Sequence, residues 1–71
     1  MTIAKVIEIS SESAEGYEDA IRVGIEEAAR TVDKIQSVWV KDHEILVKDG
    51  KPRGHRVSLK VTFLVDGTKR A

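Results

Sequence analysis

The chain contains no cysteine, one proline, and one residue each of tryptophan, tyrosine and phenylalanine among its 71 residues. Without cysteine there are no disulfides and no thiolate metal sites, and two histidines are too few for a structural zinc centre. Long apolar runs are also missing: no segment approaches the ~20 residues that cross a bilayer. The N-terminus has no apolar stretch followed by a small-residue cleavage site. Charge of one sign is absent as well, because twelve basic residues cancel twelve acidic ones. That balance excludes the field that draws a protein onto nucleic acid or an anionic membrane. The expectation is a soluble, cytoplasmic protein with neither of those partners. A chain this short, read as one domain over 1–71, buries only ~60% of its unfolded surface, so one core is marginal. With neither disulfide nor metal to brace it, association with copies of itself is the support that remains.

The stretch present in strength is an amphipathic segment from Ser13 to Ile35. Tyr17, Ala20, Ile21, Gly24, Ile25, Ala28, Val32 and Ile35 recur at steps of three and four, which predicts one apolar stripe along a helix. Glu18, Arg22, Glu26 and Arg30 alternate in sign on the opposite side, which should meet water. Ser13 is the expected N-cap, and Gly24, on the apolar stripe, is expected to lie against a sheet that approaches closely. Ile3 to Ser10 reads as a strand ended by the polar run Ser10 to Ser13. Ser37 to Val47 reads as a second strand, with Val38 and Val40 on one face and Ser37, Trp39 and Lys41 on the other. Asp49-Gly50 signals a hairpin, and Pro52 and Gly54 suggest a turn longer than two residues. In a third strand, His55 to Val65, the residues Val57, Leu59, Val61, Phe63 and Val65 alternate with Arg56, Ser58, Lys60 and Thr62. Asp66 to Ala71 reads as a short, frayed basic tail. The fold class expected is therefore α+β with order β-α-β-β: a three-stranded antiparallel sheet carrying the one helix on one face.

The densest titratable cluster is Asp42-His43-Glu44. Neighbouring strand residues point to opposite faces, so Asp42 and His43 do not converge, and no enzyme is expected. His43 and His55 read as partly exposed strand residues beside a turn. A calcium site drawing on Asp42, Glu44 or Asp49 would have to be assembled between subunits, since EF-hand spacing is missing. On the face turned away from the helix, parity gathers Ser37, Trp39, Arg56, Ser58 and Lys60. That mixed aromatic and cationic surface suits either a planar ligand with an anionic substituent or an interface in which Trp39 is the anchor.

Lys5-Val6-Ile7-Glu8-Ile9, Ser13 followed by Gly16, Ala28-Ala29-Arg30-Thr31-Val32 and Val61-Thr62-Phe63, in this order and spacing over nearly the whole chain, resemble the dodecins. The resemblance implies a sheet wrapped around the helix, a hollow homododecamer, ligand sites between subunits, and storage or sequestration of a small ligand. Flavin, as FMN or riboflavin, is the family's ligand. Flavin-binding members carry a Trp shortly after the helix that stacks on the isoalloxazine ring, and a Gln on the last strand that bonds its polar edge. Placed without gaps between Thr31 and Phe63, those positions fall on Ser37 and Arg56. Trp39 lies two residues further on the same strand face, about 6.5–7 Å away, beyond a stacking distance unless the strand bulges. Arg56 offers only donors and a permanent charge, so an anionic ligand should suit it better than the flavin edge. Some dodecin-like proteins lacking this pair are not flavoproteins, and calcium binding is described among them; at Arg56 the chain resembles that branch. The candidate ligand-binding residues are Ser37, Trp39, Glu44 and Arg56. The alternative is a structural or calcium-stabilised oligomer without flavin.

Overall fold

The computed structural model describes residues 2–66. In order, the chain forms β1 (Thr2–Ser13), α1 (Tyr17–Ala29), β2 (Ile35–Lys48) and β3 (Lys51–Asp66). The three strands make one antiparallel sheet of order β1-β3-β2, with the longest strand in the centre. The expected β-α-β-β architecture is therefore the one observed. The apolar alternation of β3 explains its central place: Val57, Leu59 and Val61 are fully buried under α1 and, with Ala20 and Ala28, form the core. Ile7, Ile9, Ile21, Ile35, Val38 and Val40 pack around that core and are only partly buried.

Every element boundary moves from its expected place, for local reasons. The helix is shorter than Ser13 to Ile35. Its N-cap is Gly16, and Ser13 ends β1 instead. Ser13 still organises the entry, since its hydroxyl accepts from the Glu15 N–H (2.9 Å) and donates to Asp19 Oδ2 in the first turn (2.6 Å). Val32 follows the last helical turn, Lys34 takes a left-handed φ of 61°, and Ile35 opens β2. β1 runs on through Ser10 to Ser13 because β3 supplies partners along that length, pairing Ser11 with Val57, Glu12 with Arg56 and Ser13 with His55. Ladder bonds override the weak strand propensity of serine.

The hairpin turn is two residues, not longer. Asp49 (φ 54°) and Gly50 (φ 75°) both lie in the left-handed region, as a type I′ turn requires, and Lys48 pairs with Lys51. Pro52 is tolerated beyond the end of β1 and beside a bulge. Gly54 belongs to the strand because the departing backbone crosses it: a Cβ there would stand 3.3 Å from the Ser13 carbonyl oxygen. Gly24 meets the sheet as expected, since a Cβ would come 2.8 Å from Leu59 Cδ1. The expected tail lies outside the described residues, apart from the strand end at Asp66.

Two one-residue slips in β2 settle which of its side chains reach each face. The register shifts between Ile35 and Ser37 and again between Val40 and Asp42, so Lys41 is extra and alternation reverses after it. Val38 and Val40 face the helix opposite Val61 and Leu59. Beyond the bulge the residues facing that side are His43, opposite Val57, and Ile45, opposite His55. Asp42 and Glu44 turn to the far face. Uninterrupted alternation from Val38 would have set Glu44 on the helix side.

A candidate ligand face on the open side of the sheet

The far face is built in rows that run across the three strands. One row is Val6, Thr62 and Ser37; the next is Glu8, Lys60 and Trp39; then come Ser10, Ser58 and Asp42; and last Glu12, Arg56 and Glu44. Nothing among the described residues covers them. Trp39 is 62% exposed and Val6 56%. The Lys60 ammonium sits over the indole, 5.2 Å from its centroid, a contact worth about 0.5–1 kcal/mol at an exposed site. The bulged Lys41 reaches across β3 to Glu8 Oε2 at 3.0 Å. That hydrogen bond, and next its charge, lowers the Glu8 carboxyl below its usual range, and the Lys41 ammonium is raised by the same contact.

The structure therefore brings all four candidates, Ser37, Trp39, Glu44 and Arg56, to one face, though not into one cluster. Ser37 and Trp39 sit at one end, and Glu44 and Arg56 form the last row. From Ser37 to Val40 the register is continuous, with Ser37 opposite Thr62, Val38 opposite Val61 and Trp39 opposite Lys60. The bulges flank this stretch and do not enter it, so Trp39 stays two residues past Ser37. Arg56 is not free to take an anion. Its guanidinium donates to Glu12 Oε2 (2.9 Å) and to Glu44 Oε1 (3.3 Å), and the Glu12 hydrogen bond chiefly raises its pKa. One cation between two carboxylates leaves this row net negative, which corrects the expectation that Arg56 favours an anionic ligand.

The calcium candidates are not gathered either. Asp49 lies in the hairpin turn, Asp42 is opposite Ser58, and Glu44 is engaged by Arg56. Among the described residues no three His, Asp or Glu side chains form a metal-binding group. Sequence reasoning also missed a cluster on the helix side. There Tyr17 packs on His43 (ring centroids 4.2 Å apart), and His43 meets His55 edge to edge (centroids 5.3 Å apart). The usable signal was the turn: counting outward from Lys48 and Lys51 brings positions 43–45 beside His55. No helix among the described residues is long and apolar enough to cross a membrane.

The Dodecin family profile matches residues 3–66. Among solved structures, dodecin from Streptomyces davaonensis is 31% identical and superposes with a TM-score of 0.86, over 92% of this chain and 96% of that one. A Thermus thermophilus protein gives 25% identity and a TM-score of 0.87, covering 96% and 100% of the two chains. Dodecin from Streptomyces coelicolor, at 24% identity and a TM-score of 0.87 over 94% and 96%, shares the fold. A comparison with curated protein sequences returns no significant match. With a profile match over nearly its full length and this architecture, the chain belongs to the dodecin family.

Proposed function

We propose that the chain is the protomer of a hollow homododecamer that stores or sequesters a small ligand between subunits, and that its exposed sheet face, with Ser37, Trp39, Glu44 and Arg56, lines that site. The observation that carries this reading is Trp39, a large ring presented on an uncovered sheet face and flanked by Lys60. A monomer has no reason to leave an indole 62% exposed, whereas a second copy or a planar ligand between copies would cover it. No catalytic chemistry is part of the proposal, since the far face offers ion pairs and an aromatic ring but no nucleophile paired with a base among the described residues.

Flavin is the family's ligand, and this chain departs from flavin recognition at both hallmark positions. Ser37 cannot stack, and Arg56 is held by Glu12 and Glu44. Riboflavin or FMN titrated into the natural protein should therefore keep most of its fluorescence. Ser37→Trp combined with Arg56→Gln should restore strong quenching, because it returns the stacking ring and a donor-acceptor amide to positions whose register is intact. Light scattering should give the mass of twelve chains. Trp39, the single tryptophan, should emit at shorter wavelength in the assembly than in the dissociated chain. A solitary chain with a water-exposed indole at micromolar concentration would overturn the proposal. Strong flavin quenching by the natural protein that disappears in Trp39→Ala would show that Trp39 has taken over the stacking role.

A further inference from the structure

His43 and His55 lie on the helix side of the β2–β3 hairpin, on the opposite face from Trp39, and the storage function makes no use of them. They are diagonal neighbours: His43 is opposite Val57, and His55 is opposite Ile45. His43 Nε2 stands 3.1 Å from His55 Nδ1, a contact that needs one proton shared between the two rings. The Tyr17 ring packs on His43. On the other side of His55, its β1 partner Ser13 has its hydroxyl committed to Asp19, whose carboxylate is also paired with Arg22. No nearby carboxylate is left to compete for the ring nitrogens through these contacts.

We propose that His43 and His55 form a two-imidazole chelate for a divalent transition-metal ion of the zinc type, with water completing the coordination. The separation fits. With metal–nitrogen bonds of about 2.0–2.1 Å, two nitrogens 3.1 Å apart subtend roughly 100° at the ion, between the square-planar and tetrahedral angles, once each ring turns by roughly 40° from the in-line nitrogen–nitrogen contact to aim its lone pair at an ion beside that line. Each ring stays neutral, with its proton on the nitrogen that faces away from the ion, Nδ1 of His43 and Nε2 of His55, so the ion replaces the proton-mediated contact while lying beside the nitrogen–nitrogen line. Imidazole donors select zinc, copper or nickel over calcium or magnesium, which need oxygen ligands. The absence of any third His, Asp or Glu in reach among the described residues makes this an exchangeable site, unlike a structural zinc centre. A protonated imidazole has no lone pair to give, so binding weakens on acidification.

The test uses the untagged full-length protein and Zn²⁺ alone. Calorimetry should show one saturable Zn²⁺ per chain and no heat with Ca²⁺. His43→Gln and His55→Gln should each weaken Zn²⁺ binding at least tenfold, with the circular dichroism spectrum unchanged. In NMR spectra of the natural protein, the imidazole resonances of both histidines and the ring resonances of Tyr17 should move with Zn²⁺, while the Trp39 indole on the opposite face should not. The absence of saturable binding, binding retained by both single variants, or shifts confined to residues away from the pair would each overturn the proposal.

Discussion

Gly24 has little freedom to change, because Leu59 and Ser11 already stand where a side chain would go. Alanine would gain helix propensity of about 0.5–1 kcal/mol, but its methyl would meet Leu59 Cδ1 at 2.8 Å and Ser11 Cβ at 3.1 Å in a core where Leu59 is fully buried. Overpacking of this kind costs about 1–3 kcal/mol. Gly24→Ala should therefore lower the melting temperature, and Gly24→Val should lower it further. At the same scale, Asp19 links stability to pH. Hydrogen bonding from the Ser13 hydroxyl, and then from Arg22, lowers its carboxyl below the ordinary 3.8. Stability from that shift is fully present above 3.8 and is lost as pH falls through the lower folded value. Ser13→Ala removes the largest cause, so the acid-dependent part of its unfolding curve should shrink, as should that of Asp19→Asn.

At the scale of the element, the β2–β3 hairpin depends on a two-residue turn in which both residues take positive φ. Gly50→Ala places a Cβ where L-residues lose about 1–2 kcal/mol, so chemical denaturation should show a loss of that size, while Asp49→Gly should be nearly neutral. The turn was legible as Asp49-Gly50, but its length was not, because Pro52 and Gly54 carry loop propensity that the pairing of β3 overrules. The Lys41 bulge was equally hidden. No residue type marks it, yet one extra residue decides which face every later side chain of β2 takes. It sends Glu44 to Arg56 and His43 to Tyr17. The four candidate residues were thus named from the sequence, and parity already set Ser37, Trp39 and Arg56 on one face, but that Glu44 joins them, and that Arg56 is already paired, came from the register.

The whole molecule is drawn out. Its Cα radius of gyration is 15.0 Å, against roughly 11 Å expected for a compact chain of this length, and it measures 57 × 18 × 15 Å because a sixteen-residue strand sets its long axis. Among the described residues, five buried apolar side chains make a small core, and Val6, Trp39, Ile45 and Val47 remain exposed. In the proposed assembly other copies supply the missing burial, and that ties stability to association. The melting temperature should accordingly rise with protein concentration. Val6→Glu or Trp39→Glu should reduce the mass seen in light scattering and lower the melting temperature together; a variant that stays a full assembly would place that residue outside the interface.

Residue order was enough to establish the succession of elements, the buried face of β3 and the glycine contact of α1, because each is written in a period of 2 or 3.6 or in a single residue's lack of a side chain. Where the strands end, where β2 slips, and which side chains become neighbours emerged only on folding. Those outcomes depend on backbone partners distant in the chain, such as Leu59 opposite Val40 at the β2 slip, and β3 holding Ser11 to Ser13 in a strand and Glu12 on Arg56. Long-range pairing contributes a hydrogen bond at each step regardless of which side chain is present, so it can overrule local propensity without leaving a local trace.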